Sequence, residues 1–429
     1  MELKNIKGSF DYLPEEQKVR NKIIDILKKN FEKYGYLPIE TPMICYYDLL
    51  SYKYDSDAEI LNEIYTLTDQ GNRDLGLRFD LTVPFCKVIG MQKELRLPFR
   101  RYEIGKVFRN GPVKLGRSRE FYQCDVDVVG IDDRLIEVEQ ILMGITTYKE
   151  LGIEPVVVWN NRKIMSGLIK EAGIDADLVS DVILSLDKYD KIGEDGVSKE
   201  LLDKGIDSNK IEKLFELFRG SLSDFASKYS DSDNELLKEG LSEALEVDKY
   251  LEDLNIKEYT TFSPFLARGL QIYTGIVFEY YDKKQRLTCA LGGGGRYDKI
   301  ITDFIDDGNT YPAVGFSFGL EPIYVILKEE EKYKQPMTDF YVIPMGTNKE
   351  SLLLATKLRN LGYKVLIEMN NRKIKRCFEI ADKDNIPYVI VLGENEIESN
   401  MIKVKDMYNK KEIEISLDEI DKIKDYICK

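Results

Sequence analysis

Between Arg96 and Arg119 the chain carries eight Lys or Arg (Arg96, Arg100, Arg101, Lys106, Arg109, Lys114, Arg117 and Arg119) against the single acid Glu103. Directly after them, Asp125 and Asp127 stand inside the apolar run YQCDVDVVG. Guanidinium groups pair bidentately with phosphate and stay charged in any surroundings. Carboxylates beside them suit an ammonium group, an imidazole N–H or Mg2+. One pocket with both features would hold a phosphate donor and an amine-bearing substrate together. A solvated hairpin with surface charge gives the same pattern, so the segment alone leaves both open. The chain has 0 histidines. That removes the commonest general base and the commonest metal ligand. Ser-His-Asp, Cys-His and His-metal chemistries are excluded with them, so catalysis must rest on Arg, Lys, carboxylates, backbone groups or a bound ion.

These residues need elements to position them. FRRYEIGKVFR runs in, NGPVKLG turns and REFYQCDVDVVG runs out, which reads as an antiparallel hairpin. Alternation along the outgoing strand puts Tyr122, Cys124, Val126 and Val128 on a core face. Phe121, Gln123, Asp125 and Asp127 share the other face, a solvent surface or the wall of a pocket. Upstream, LGLRFDLTVPF changes from strand to helix, with Thr82 as the expected N-cap and Pro84 tolerated in the first turn. Downstream, LARGLQIYTGIVFEYY sets Arg268 at the entrance of a strand in which Tyr273 and Gly275 share a face. The four glycines of LGGGGRYDKII allow close packing or close ligand approach, a hairpin turn being the alternative. YPAVGFSFGLEPIYVILKE reads as a strand running into a helix.

A chain of 429 residues exceeds one ordinary core and suggests two to four domains. Hydrophobic content of 43% with 32% charged residues marks a soluble globular protein. No apolar run approaches the ~20 residues of a membrane helix, and the N-terminal MELKNIKGSFDYLPEEQ lacks the apolar core of a signal peptide. Six scattered cysteines without a C-x-x-C pair argue against a zinc site and fit a reducing cytoplasm. Residues 15–35 read as an amphipathic helix ending at Gly35. Residues 163–250 read as a helical insertion of charged amphipathic segments, including ADLVSDVILSLDKYDKIG as one helix. KEEEKYKQP is a charged linker. Beyond it, strands and helices alternate as in a small α/β domain with a mainly parallel sheet. That module carries 16 basic and 16 acidic residues from 338 to 429, so the net −14 belongs entirely to the preceding chain. A neutral module beside an acidic body is permissive for a polyanion.

Nearly end to end, the chain resembles the histidyl-tRNA synthetases, a class II aminoacyl-tRNA synthetase family. IKGSFDYLP resembles the family's N-terminal segment, YGYLPIETP its motif 1 region and LRFDLTVPF its amino-acid-binding segment. FRNGPVKLGRSREFYQCDVDVVG resembles motif 2, LARGLQIYTG and GGGGRYD the two histidine-specific signatures, and AVGFSFGLE motif 3. ADKDNIPYVIVLGENEI resembles part of the anticodon-binding domain. The order of the segments is more specific than any one of them. The resemblance implies an α/β multi-domain fold, with an antiparallel class II sheet flanked by helices over residues 1–162 and 251–328. A helical insertion (163–250), a linker (329–337) and a C-terminal α/β anticodon-binding domain (338–429) complete it.

It also implies a function: ATP and Mg2+ activate L-histidine to histidyl-adenylate, and the aminoacyl group then moves to histidine tRNA. Asp80, Thr82 and Gln123 would bind the α-amino group, with Leu81 and Ile272 in the same histidine pocket. Asp127 and Tyr273 would read the imidazole. Arg109 and Arg268 would hold the reacting α-phosphate and carboxylate. Arg117, Arg119 and Glu321 would face the nucleotide and the tRNA acceptor end. A cytoplasmic homodimer without membrane contact is expected, and no residue is assigned to a metal. Two departures stand out. The family usually has Asp-Tyr-Tyr after RGL, where this chain has Gln271, Ile272 and Tyr273. Motif 3 usually ends in Glu-Arg, with the arginine on the γ-phosphate; here the pair is Glu321-Pro322, which removes a charge-assisted hydrogen bond of ~1.5–3 kcal/mol. The alternative is a histidine-binding regulatory paralogue, resembling the regulatory subunit of ATP phosphoribosyltransferase, with weak or no adenylation. The anticodon-binding module and the intact-looking motif 2 argue against it.

Overall fold

The alternation after Arg96 becomes an antiparallel pair of ten-residue strands, Phe99–Phe108 and Glu120–Val129. This hairpin is the heart of an eight-stranded sheet. From edge to edge the strands are Leu37–Pro38, Phe99–Phe108, Glu120–Val129, Ala313–Gly319, Gly292–Arg296, Ile276–Asp282, Pro155–Asn161 and Thr260–Phe262. The first and last pairings are parallel and the rest antiparallel. In this computed structural model, residues 1–52, 59–229, 232–268, 272–330, 333 and 336–427 are described. The chain divides into two units, Met1–Lys328 and Glu329–Lys429.

One face of the large sheet is apolar, as the alternation requires. Phe31 of the helix Pro14–Lys33 and Tyr148 of the helix Leu135–Leu151 pack there against Phe318, with ring centroids 5.6 and 5.0 Å away. Tyr280 and Phe316 extend the aromatic layer. Gly294 makes that packing possible: a Cβ on it would come within 2.2 Å of the Phe316 Cβ. Arg296 closes the glycine strand with a two-pronged ion pair to buried Glu137, at 2.7 and 2.9 Å. Gly35 follows the first helix with φ +77°, the left-handed conformation that stops it.

Between the first helix and the hairpin in sequence lies a small antiparallel sheet, Ile44–Tyr46, Asp74–Leu77 and Thr66–Thr68, of which the sequence reading anticipates only the strand Asp74–Leu77. It delivers the chain into the helix Thr82–Met91. Thr82 lies inside this helix and is not its cap: the Oδ1 of Asp80 accepts from the Val83 N–H at 3.0 Å. The expected Thr82 cap is corrected accordingly, because Asp80 sits closer to the exposed amides of the first turn.

The stretch between the strands Pro155–Asn161 and Thr260–Phe262 is helical, with its main helices at Arg162–Glu171, Val179–Leu186, Tyr189–Asp203, Ser208–Phe218, Leu222–Tyr229 and Glu235–Asp253. The single helix expected over ADLVSDVILSLDKYDKIG is broken between Leu186 and Tyr189. Among the described residues, no helix is long and apolar enough to cross a membrane, and the five described cysteines are unpaired.

The second unit has its own core, built from Phe340, Val342, Leu354, Leu358, Ile390 and Ile402. Its five strands run in the order Val365–Ile367, Phe340–Pro344, Tyr388–Leu392, Met401–Asp406 and Lys411–Ser416. Only the first three are mutually parallel; the last two extend the sheet as an antiparallel hairpin. The expected mainly parallel sheet is therefore half right. The charged alternation MIKVKD and KEIEIS marks an edge pair with one wet face.

Candidate functional site

The face of the large sheet opposite the aromatic layer is laid out by strand register, since directly paired antiparallel residues share a face. One row reads Gly105, Gln123, Gly319. The next reads Glu103, Asp125, Ser317, Gly293, Glu279. The third reads Arg101, Asp127, Gly315, Gly295, Val277. Five glycines, Gly105, Gly293, Gly295, Gly315 and Gly319, form the floor, with polar side chains from the hairpin on one side and Glu279 on the other. The GGGG run is thus a strand within the sheet and not a turn.

The carboxylate side is buried and mostly paired. The Oδ2 of Asp127 meets Nη2 of Arg101 at 2.7 Å, and its Oδ1 accepts from the Tyr297 hydroxyl. Arg101 is wholly buried, lies 4.4 Å from the Phe85 ring centroid and donates to the Leu81 carbonyl at 3.2 Å. Leu81 therefore meets the site through its carbonyl, while its side chain is in the core. Glu103 is held by Arg78 at 2.7 Å and by the Thr41 amide at 2.9 Å. Gln123 is half-buried, its Nε2 3.5 Å from the Ser317 hydroxyl. Burial lifts the Asp125 carboxyl to about 7, with Arg101 pulling it down and Asp127 pushing it up. Burial likewise raises Asp127, against the pull of Arg101 and the Tyr297 hydroxyl.

Arg268 approaches from the opposite side. The expected strand-head position is corrected: its strand begins only at Ile276, and Arg268 lies in the preceding loop with φ +51°. Its Nη1 is 3.2 Å from the Glu279 Oε1, and the Tyr281 hydroxyl donates to the other Glu279 oxygen at 2.5 Å. A Cβ on Gly293 would stand 2.0 Å from the same Nη1, so the guanidinium lies directly on the glycine floor. Tyr273 flanks it, with the ring centroid 5.4 Å from the guanidinium carbon. Ile272 packs into the apolar cluster of Phe85, Val129 and Tyr297. Gln271 lies outside the described residues.

The remaining arginines follow the hairpin toward its tip. Arg109 donates to the Phe79 carbonyl at 2.9 Å and lies 5.2 Å from the Phe121 ring centroid. Arg119 donates to the Gly111 carbonyl and takes the Gly8 carbonyl on its amide. Arg117 is mostly exposed, 3.8 Å from Glu63. Glu321 is not on this floor. It is buried behind Tyr122, accepts that residue's amide at 3.2 Å and pairs with Arg20 at 2.9 Å. Arg20 is itself sealed, 3.8 Å over the Tyr12 ring.

Arg78, Arg101, Glu279, Tyr297 and Ser317 were given no role by the sequence reading. Tyr297 and Glu279 sit within quoted motifs, and two-residue alternation from Tyr281 would have put Glu279 on this face, whereas Arg101 follows only from the hairpin register that sets it opposite Asp127. Arg78 also stands in a quoted motif, LRFDLTVPF, but alternation gives no signal for it, because it arrives from outside the large sheet. Among the described residues no cluster of three or more His, Cys, Asp or Glu is arranged to hold a metal ion.

The family pattern described as Histidyl-tRNA synthetase matches residues 8–323, and that described as Anticodon binding domain matches 339–425. The chain is 45% identical over 427 residues to Histidine--tRNA ligase 1 of Bacillus cereus, covering 98% of this chain and 99% of that protein. It is 36% identical to Histidine--tRNA ligase of Clostridium tetani, with 97% of each chain covered. The crystal structure of histidyl-tRNA synthetase from Nostoc sp. PCC 7120 superposes with a TM-score of 0.84 at 27% identity, covering 100% of both chains. A Bacillus halodurans structure titled as an ATP phosphoribosyltransferase regulatory subunit/histidyl-tRNA synthetase shares the fold, with a TM-score of 0.76 at 22% identity over 92% of this chain.

Proposed function

Because the chain belongs to the histidyl-tRNA synthetase family, we propose that it joins L-histidine to histidine tRNA at the expense of ATP. The observation that carries this reading is the glycine floor, with buried carboxylates along one side and the Arg268 guanidinium resting on the other. An amino acid lying across it finds anions for its cationic groups and a cation for its carboxylate.

In the first step a carboxylate oxygen of histidine attacks the α-phosphorus of ATP. The P–O bond to the β-phosphate breaks, and pyrophosphate leaves. No proton has to be removed from a carboxylate nucleophile, so a chain with 0 histidines needs no general base here. What the step needs is fixed positive charge where negative charge develops. Arg268 and Arg109 are suited to that. In the second step a ribose hydroxyl at the tRNA 3′ end attacks the mixed-anhydride carbonyl and AMP departs. Asp127 and Tyr273 read the imidazole, while Asp80, Thr82 and Gln123 face the α-amino group. Arg117 and Arg119, near the hairpin turn, are available to the nucleotide and the acceptor end. Glu321, occupied by Arg20, ties the first helix to the hairpin and is removed from the nucleotide contacts. Mg2+ takes most of its ligands from phosphate and water and needs only one or two carboxylates; Glu279 at the edge of the floor is the acid that would serve. The ion would neutralise phosphate charge.

Leu37, Ile44 and Tyr46, 58%, 52% and 58% exposed near the motif 1 region, favour a homodimer. The module over 339–425 supports an anticodon contact. Histidine-dependent ATP–pyrophosphate exchange by the purified protein tests the reading. Exchange is expected with L-histidine and with no other amino acid. Measurable histidine binding without exchange would instead favour the regulatory paralogue.

A further inference from the structure

The loop that delivers Arg268 leaves the edge strand Thr260–Phe262 and runs through a turn, with neither helix nor strand over residues 263–268. Its backbone groups therefore need partners from elsewhere. The strand Pro155–Asn161 and the first residue of the helical insertion supply them. The buried Asn160 amide donates to the Pro264 carbonyl at 2.9 Å and to the Leu266 carbonyl at 3.0 Å. Buried Arg162, which opens the helix Arg162–Glu171, donates to the Ala267 carbonyl at 2.9 Å, one residue before Arg268. The Ser263 amide donates to the Trp159 carbonyl at 2.9 Å. A side chain of the same loop reaches into the insertion. The Phe265 ring stacks on Tyr189, with centroids 4.2 Å and planes 19° apart, and lies 5.5 Å from the Phe218 ring. Tyr189 opens one insertion helix and Phe218 closes the next. Asp187, in the break before Tyr189, acts electrostatically on Arg162 and Arg268 alike.

We propose that residues 263–268 are a strap through which the helical insertion positions Arg268 for adenylation, with Phe265 as its positioning residue. The inference rests on the adenylate-forming reading above and gives the insertion a part in that step. Phe265 and Arg268 are three residues apart, so at most ~11 Å of backbone joins the stack to the turn that aims the guanidinium. Arg268 holds a φ of +51°. A left-handed residue other than glycine persists only where its surroundings over-determine it. The ties from Asn160 and Arg162 fix the strap on the sheet, and the Phe265 ring fixes it on the insertion. Without the ring, the loop relaxes, the backbone at Arg268 turns, and the guanidinium leaves its place above Gly293.

The test is Phe265→Ala in the full chain. Single-turnover adenylate formation should slow about fivefold or more, since a displacement of about 1 Å can cost ~10²-fold. The KM for ATP in pyrophosphate exchange should stay within about threefold, because the change falls on the transition state. Phe265→Tyr, which keeps the ring, should recover the rate to within about threefold of wild type. In an Arg268→Ala background, Phe265→Ala should slow adenylation by no more than about twofold further, because a guanidinium that is absent cannot be displaced. A smaller loss in the single variant would overturn the assignment. So would the same fractional loss with and without Arg268, which would make Phe265 a support of the fold. Tyr189→Ala removes the stack from the insertion side and should repeat the pattern if Phe265→Ala does not melt cooperatively. Failure of both variants to fold would also make the stack a support of the fold and count against the strap. Wild-type protein without histidine-dependent exchange would remove the adenylation reading itself, a result separate from all of these.

Discussion

Arg268 owes its position to two neighbours and to an unusual backbone. Its φ of +51° turns the side chain back over the sheet, Glu279 holds one nitrogen, and Gly293 leaves the space the guanidinium occupies. Arg268→Ala should slow single-turnover adenylate formation by ~10²–10³, the usual cost of removing a preorganised donor. Lysine should restore only part of the rate, since a point charge cannot reproduce a planar fork. Gly293→Ala is the sharper probe. It changes no charge, yet its Cβ would stand 2.0 Å from the Arg268 Nη1 and 2.7 Å from the Phe278 carbonyl oxygen, so a cooperative melt must accompany the rate. The guanidinium must move, and adenylation should fall by at least tenfold while the protein still folds. An unchanged rate in the alanine variant would mean that the guanidinium does its work elsewhere. The residue types of this site were legible in the sequence: Asp125, Asp127, Gln123 and Arg268 stand in quoted motifs. The position of Arg268 was not, because a left-handed non-glycine residue leaves no periodic trace. Nor was Arg101 singled out within the basic run, or Arg78 ahead of it, although they pair with Asp127 and Glu103 and are not available to phosphate.

The elements that carry the site divide by how periodic they are. The hairpin Phe99–Val129 was readable because ten-residue strands alternate long enough to separate a core face from a pocket face. The three-residue strands of the small sheet are too short to alternate detectably, and the edge hairpin Met401–Ser416 alternates with charged residues that look like loop. The start of the helix Thr82–Met91 shows the same limit on a finer scale. Both Asp80 and Thr82 are cap-forming types, and only the Asp80–Val83 hydrogen bond decides between them. Asp80→Ala should therefore lower stability by about 1 kcal/mol in urea unfolding, and Asp80→Asn should restore most of it because the amide oxygen still accepts. Thr82→Ala should change stability by no more than a few tenths, since alanine suits a helix interior. A larger loss from Thr82→Ala than from Asp80→Ala would return the cap to the threonine.

At the scale of the molecule, the two units keep separate hydrophobic cores. Phe340, Val342, Ile390 and Ile402 pack within the second unit, while the aromatic layer around Phe318 and Tyr148 belongs to the first. This division was legible because helical periodicity gives way to a charged, proline-ended segment and then to a regular strand–helix alternation. The charge follows it: the second module is balanced and the rest of the chain carries the net −14. Every residue of the glycine floor and its rim precedes residue 328. A chain ending at residue 337 should fold, as judged by a cooperative melt, and should keep histidine-dependent pyrophosphate exchange within a few-fold of the full chain. Its charging of tRNA should fall by at least tenfold, because an acidic body approaching a polyanion loses the neutral module that tolerates it. The loss should appear as a raised KM for tRNA, more than as a lowered exchange rate, since uniform binding is what has been removed. If the folded truncated chain charges tRNA as well as the full chain does, the second unit is not the RNA contact. If exchange disappears with charging, the adenylation site depends on the second unit in a way that the separation of the cores does not provide for.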